Sequence, residues 1–165
     1  MSFHGGAIGV FLSTLIYCKK KKINKFIFLD LISVSAPIGL FLGRIANFIN
    51  SELYGKVSSL PWSVIFIKID DIPRHPSQLY EALFEGLVLF FILNYFVKKN
   101  YLKTPGIISS IFLILYSIFR FLIEFFRIPD EQIGYILNLT MGQIISIVFL
   151  FWGIYLFSKK NYEKV

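Results

Sequence analysis

Six ionisable residues lie inside the long apolar stretches of this chain: Asp30, Arg44, Glu81, Glu85, Arg120 and Glu124. A charged side chain in hydrocarbon costs about 2.5–3.5 kcal/mol on insertion scales, so each needs a partner or a task. Spacing narrows the task. Arg120 and Glu124 stand four residues apart, on one helix face, and can pair. Arg44 and Asn47 are three apart, and the polar run continues through Asn50 and Glu52 to Gly55, which makes one helix end dense in hydrogen-bonding groups. A guanidinium offers phosphate a planar fork of donors and keeps its charge when partly desolvated. Two of them at headgroup depth suit the phosphate of a phospholipid. His4 or a carboxylate is able to move a proton in the same region. Plainer roles stay open for each residue. Arg120–Glu124 can be a structural pair, and Asn47 and Asn50 can join neighbouring helices. Glu81 and, more readily, Glu85 can be solvated at the lipid–water boundary. His4 can be a terminal residue without a task, and Asp30 reads as an interfacial carboxylate.

Helices must carry these groups. Five apolar segments have the look of membrane spans, at 1–18, 26–50, 79–97, 105–126 and 139–157. A crossing takes about 20 residues at about 1.5 Å each, so the last four suffice and the first, at about 27 Å, is short. Lysines cluster in three blocks beside these segments: Lys19–Lys22 with Lys25; Lys98, Lys99 and Lys103; Lys159, Lys160 and Lys164. Together they hold 11 of the 17 basic residues, which assigns them to the cytoplasmic side. The chain then starts outside, ends with a cytoplasmic C-terminus, and leaves the loops 51–78 and 127–138 outside. Arg44 falls about 9 Å from the outer end of its helix at Asn50. Arg120 and Glu124 fall in the last two turns of segment four, and Glu81 and Glu85 in the first two of segment three. With His4 at the outer start of segment one, five of the six charges share one leaflet. Asp30 alone lies near the cytoplasmic end.

Local signals set expected boundaries. Thr104-Pro105 reads as a cap and first helical residue. His75-Pro76-Ser77 reads as a turn with Ser77 capping the next helix, and Pro129-Asp130 as a stop. Gly5-x-x-x-Gly9 and Gly39-x-x-x-Gly43 are spacings that permit close helix approach. The loop from Ser51 to Gln78 is long enough to lie on the outer surface, with Trp62 at headgroup level. No basic n-region precedes Gly5, so no signal peptide is expected.

Composition excludes several classes. The 165 residues are 56% hydrophobic and 16% charged, with a mean hydropathy of +0.67, against roughly 25% charged in soluble domains. Neither a soluble globule nor a disordered chain fits 19 Phe and 9 Tyr. The net charge of +7 sits in the lysine blocks rather than on a nucleic-acid-binding face, so no nucleic acid is expected. A lone Cys18 excludes an internal disulfide framework and a Cys-rich metal site. What remains is an all-α, polytopic membrane helix bundle, one domain of about five spans.

Four stretches, in order, then carry a likeness. Gly43-Arg44-Ile45-Ala46-Asn47-Phe48-Ile49-Asn50-Ser51-Glu52-Leu53-Tyr54-Gly55 resembles the signature of bacterial prolipoprotein diacylglyceryl transferases. So do Met1-Ser2-Phe3-His4-Gly5-Gly6, Arg74-His75-Pro76-Ser77-Gln78-Leu79-Tyr80-Glu81, and Arg120-Phe121-Leu122-Ile123-Glu124-Phe125-Phe126-Arg127 with Pro129-Asp130. Met141-Gly142-Gln143 matches as well. The resemblance implies an enzyme of the bacterial inner membrane. It would move the diacylglyceryl group of phosphatidylglycerol to the lipobox cysteine thiol of a prolipoprotein, the first step of lipoprotein maturation, releasing glycerol 1-phosphate. The motif residues carried over are His4, Arg44, Asn47, Asn50, Glu52, Gly55, Arg120 and Glu124. By this likeness His4 is the base that makes thiolate. Arg44 and Arg120 hold the phosphate, Glu124 orients Arg120, and Asn47, Asn50, Glu52 and Gly55 shape the headgroup pocket. No metal and no cofactor is implied. The family usually has Gly where Ala46 stands, and about two further helices before the His-Gly-Gly motif. Two other readings stay open: a lipid- or anion-binding membrane subunit without chemistry, and an inactive truncated remnant. A proton-coupled carrier would set its charges near the midplane rather than near one face.

Overall fold

The computed structural model describes residues 3–129, 135, 136 and 138–159, with the side chains of 3–8 and 135 outside that description. Five helices form the bundle: α1 (Phe3–Lys21), α2 (Lys25–Asn50), α3 (Ser77–Lys98), α4 (Ile107–Ile123) and α5 (Met141–Ser158). A 3₁₀ turn, Glu124–Phe126, prolongs α4. Among the described residues, α2, α3, α4 with its turn, and α5 are long and apolar enough to cross a membrane. Side-chain placement is inverted relative to a water-soluble protein. Ile16, Leu42, Phe91 and Phe151 project outward, each at least 60% exposed, while Asp30, Glu81 and Glu85 are fully buried. Lipid is the solvent that such a surface suits. The chain is a multi-pass membrane helix bundle.

The apolar core is small. Leu89 and Leu93 of α3 meet Ile108 and Ile111 of α4, with Val34 of α2 and Phe119 packed against them. Close approach of α2 and α3 occurs at Gly86, where an added Cβ would lie 2.7 Å from Phe41 Cβ and 2.9 Å from its Cα. At Gly39 and Gly43, whose spacing permits close approach, an added Cβ would meet nothing within 4 Å. A helix-spaced glycine pair permits contact but does not demand a partner. Within α3 the residues Ala82–Val88 wind as a π-helix, immediately after Glu81 and spanning Glu85. Such π segments are rare and recur at functional sites.

Helix ends correct three local expectations. α4 begins at Ile107 rather than at Pro105, with Gly106 as N-cap at φ 92°. Its unpaired amides are met from 76 residues away. Gly106 N donates to Asp30 Oδ2 and Ser109 N to Asp30 Oδ1, both at 2.7 Å. Asp30 is thus a buried long-range cap, not an interfacial carboxylate. Ser77 does not cap α3, whose N-cap is Pro76; its hydroxyl donates instead to Leu53 O at 3.0 Å. Cys18 is buried.

Between α2 and α3 the chain folds back over the ends of the helices. Ser51, at φ 62°, closes α2 with Ser51 N to Phe48 O at 3.1 Å and Glu52 N to Asn47 O at 2.9 Å. Strands β1 (Val64–Ile65) and β2 (Pro73–Arg74) pair antiparallel, Val64 opposite Arg74. Beyond α4, β3 (Tyr135–Ile136) and β4 (Leu139–Thr140) form a second hairpin leading into α5.

Candidate active site

The C-terminal ends of α2 and α4 and the N-terminal ends of α3 and α5 lie together, and there six charged side chains form one buried cluster. Glu81 is its hub. Arg44 Nε from α2 is 3.1 Å from Glu81 Oε2, Arg120 from α4 donates to Glu81 Oε1, and Arg127 Nη1 lies 3.6 Å from that same oxygen. Arg120 Nη2 also reaches Glu124 Oε2 at 2.7 Å. Glu85 stands one turn further along α3, 3.5 Å from Arg44 Nη2 and 3.7 Å from Arg120 Nη1. Three guanidiniums from two helices and the following turn therefore meet three carboxylates. Arg44 is the most open of the six, its side chain 16% exposed.

Glu124 is held from the far side by α5. Thr140 Oγ1 donates to Glu124 Oε1 at 3.0 Å, and Thr140 with Gln143 forms a capping box that fixes the start of α5. Gly142 completes the fit. A Cβ there would sit 2.8 Å from Glu124 Cδ, closer than real contacts allow. The matched Met141-Gly142-Gln143 stretch thus bears on the cluster through space around Glu124.

The connecting loop frames the cluster with backbone. Gly55 N donates to His75 O at 3.0 Å and Lys56 N to Phe126 O at 2.9 Å, so 55–56 runs between 74–75 and 126–127. Gly55 is buried in this seam. Gln78 Nε2 donates to Glu52 O at 2.6 Å, tying the loop to α3. Asn47 Nδ2 donates to Glu52 Oε2 at 2.9 Å on the exposed side, and Asn50 is exposed at the last residue of α2. Further out, Trp62 Nε1 donates to Tyr80 OH at 2.8 Å, and that hydroxyl is 3.2 Å from His75 Nδ1. Arg74 pairs with Asp70 and lies over the Tyr54 ring, 5.1 Å from its centre. That pairing holds the Asp70 carboxyl below the usual range.

The residue pattern thus brings Arg44, Arg120 and Glu124 together, with Asn47 and Glu52 at the edge and Gly55 in the supporting backbone. The His4 side chain and Asp130 lie outside the described residues. Glu85 corrects an expectation: it is fully buried, not solvated at a boundary. Glu81, Glu85 and Arg127 had no site role from sequence. A signal was present for Arg127, since Arg120, Glu124 and Arg127 recur at helical spacing on one face.

The family model for prolipoprotein diacylglyceryl transferase matches residues 1–159. This chain belongs to that family. Among its relatives, a phosphatidylglycerol–prolipoprotein diacylglyceryl transferase of Rickettsia akari (strain Hartford) is 56% identical over 163 residues, covering 98% of this chain and 63% of the relative. The protein of the same name from Rickettsia bellii (strain OSU 85-389) is 58% identical over 167 positions, covering 100% and 64%. That from Rickettsia typhi (strain ATCC VR-144 / Wilmington) is 55% identical over 163, covering 98% and 63%. The chain therefore spans a little under two thirds of the length of these relatives. Within the family match lie all six members of the buried cluster and the α5 cap that supports it.

Proposed function

We propose that the protein transfers the diacylglyceryl group of phosphatidylglycerol to the thiol of a lipobox cysteine in prolipoproteins. It does so in the bacterial inner membrane, with the lysine blocks and the C-terminus on the cytoplasmic side. The observation that carries this is the convergence of Arg44 and Arg120, from two separate helices, on one carboxylate at one end of the bundle. The names of the relatives support the substrate pair.

The chemistry is a displacement at carbon. Thiolate sulfur attacks the glyceryl carbon, the carbon–oxygen bond to phosphate breaks, and a carbon–sulfur bond forms. Glycerol 1-phosphate leaves with the bond's electron pair. The thiol proton must first pass to a base, a role assigned to His4. Negative charge builds on the departing phosphate oxygens, where Arg44 and Arg120 supply fixed positive charge in a site shielded from water. Glu81 orients both guanidiniums, and Glu124 holds the second edge of Arg120. Asn47, Asn50 and Glu52 line the more open rim, where the glycerol headgroup would sit over the Gly55 backbone.

Membranes carrying the protein, given labelled phosphatidylglycerol and a lipobox peptide, should yield a peptide heavier by one diacylglyceryl group. Arg44→Ala and Arg120→Ala should each abolish the product. Full activity in either variant removes that residue from the mechanism. Lipid binding without any product would instead favour a binding subunit.

A further inference from the structure

An antiparallel hairpin with one face packed and the other in water alternates apolar and polar residues along each strand. The β1–β2 hairpin does not. Its inward residues are Val64, half-buried, and Phe66, buried against Phe48 of α2 and Tyr54 with ring centres 5.8 and 6.0 Å apart. The outward residues are apolar too. Ile65 and Ile67 are exposed, Ile67 at 85%, and Pro73 opposite Ile65 is open as well. With Trp62, Ile69 and Ile72, five large apolar side chains stand open between residues 62 and 72. Ordered backbone holds them there: Ile69 N and Asp70 N both donate to Phe66 O, at 2.7 and 3.2 Å, and close the turn that carries Ile67. Exposed apolar side chains grouped in this way mark a surface that meets something other than water.

Two contacts set the height of this face. Phe48 belongs to the last turn of α2 and Tyr80 to the first turn of α3, and both helices are long and apolar enough to cross a membrane. Phe66 rests on Phe48, and Trp62 Nε1 donates to Tyr80 OH at 2.8 Å. The hairpin is thus clamped beside the ends of two spans. Along the chain, the outward apolar side chains of α2, Leu42 and Ile49, continue through Leu53 into the hairpin. The patch also holds Lys68, exposed between Ile67 and Ile69. Tryptophan at the end of a span, and lysine with its stem on apolar surface and its ammonium outside, are the chemistry of the membrane–water boundary.

We propose that the outer face of the β1–β2 hairpin is seated in the headgroup layer of the membrane that the helices cross, with Trp62, Ile65 and Ile67 reaching the upper acyl chains and Lys68 left among the headgroup phosphates. Interfacial helices bed an apolar face about 5–10 Å into the same boundary. The consequence for the site is positional. Val57 and Arg74 bridge to each other, and Gly55, in the backbone seam that frames the buried cluster, bonds to His75 next to β2. A hairpin seated in the headgroup layer holds the rim of the site at the depth of lipid phosphates. The proposal depends on the membrane placement of the helices, not on transfer chemistry.

The chain has two tryptophans, so Trp152→Phe leaves Trp62 as the sole indole emitter. In nanodiscs of phosphatidylcholine with phosphatidylglycerol, Trp62 emission should be blue-shifted and protected from aqueous iodide. Lipids brominated near the carboxyl end of the acyl chain should quench it more than lipids brominated near the terminal methyl. A water-like spectrum open to iodide, or no quenching by brominated lipid, overturns the proposal. A second probe sits where substitution disturbs no packing: Ile67→Cys with Cys18→Ala, labelled with an environment-sensitive nitrobenzoxadiazole, should show the same blue shift and the same quenching order. Shielding of either probe that appears only when a lipobox peptide is added, or that grows with protein density in the disc, assigns the face to a peptide or to a second copy and overturns the proposal. If both probes report lipid while the protein converts no lipobox peptide, the transferase reading fails and the interfacial seat stands.

Discussion

Replacing Gly142 by alanine probes the site through one methyl group on a residue that carries no chemistry of its own. The new Cβ would lie 2.8 Å from Glu124 Cδ and Oε1 and 2.9 Å from Oε2. Ordinary contact starts near 3.4 Å, so the carboxylate must retreat by roughly 0.6 Å. It cannot do so and keep both the 2.7 Å contact to Arg120 and the 3.0 Å bond from Thr140. A hydrogen bond to a charged group contributes about 1.5–3 kcal/mol. At about 1.36 kcal/mol per tenfold, loss of one in the transition state slows transfer by about 10- to 150-fold. The assay is initial-rate transfer of labelled diacylglyceryl to a lipobox peptide, normalised to folded protein. Shortening the carboxylate should relieve the clash, so Gly142→Ala with Glu124→Asp should be faster than the product of the two single effects predicts. A wild-type rate for Gly142→Ala, or strict multiplicativity in the double variant, would refute the reasoning.

Three other outcomes follow from the same contacts. Asp30→Asn removes the charged acceptor from the buried start of α4 and should lower stability by about 1–2 kcal/mol. Thermal unfolding in detergent reads that loss, and activity per folded molecule should not change. Glu81→Gln leaves three arginines without their common partner and should cost about 3–5 kcal/mol by thermal or denaturant unfolding. Burial pushes the His75 imidazole below its ordinary value of 6.5. The unfolded chain then takes up the proton first. The stability that His75 contributes is complete above 6.5 and is lost as pH falls from there through its folded-state value. Melting temperature should drop on acidification in wild type and drop less in His75→Gln.

Charge placement made much of the architecture legible. Blocks of lysine alternating with apolar runs predicted the helices, and the depth of Arg44, Arg120 and Glu124 along them predicted that they share one end. What spacing could not supply was who pairs with whom. Arg120 and Glu124 are four residues apart and visible as a pair, but the hub is Glu81, 39 residues away from Arg120. Burial decided Glu85 as well: its sequence position is equally compatible with a wet boundary, whereas in the fold that turn of α3 packs through Gly86 against Phe41 and faces Arg44 and Arg120. Asp30 differs from its sequence expectation for the same reason. Its acceptors serve amides brought near by tertiary folding, whereas Thr104-Pro105 offered a local cap that the chain does not use. Gly142 read as a motif residue without a task, because the space it leaves matters only once α5 meets α4.

The central claim is that Arg44 and Arg120 grip one lipid headgroup together. A double-variant cycle on phosphatidylglycerol binding, with Arg44→Gln, Arg120→Gln and both, in nanodiscs at neutral pH, tests it most directly. The account predicts that each single change removes nearly as much affinity as the pair, with a coupling of about 0.5–3 kcal/mol. Additive losses, or wild-type binding in either single variant, would contradict it.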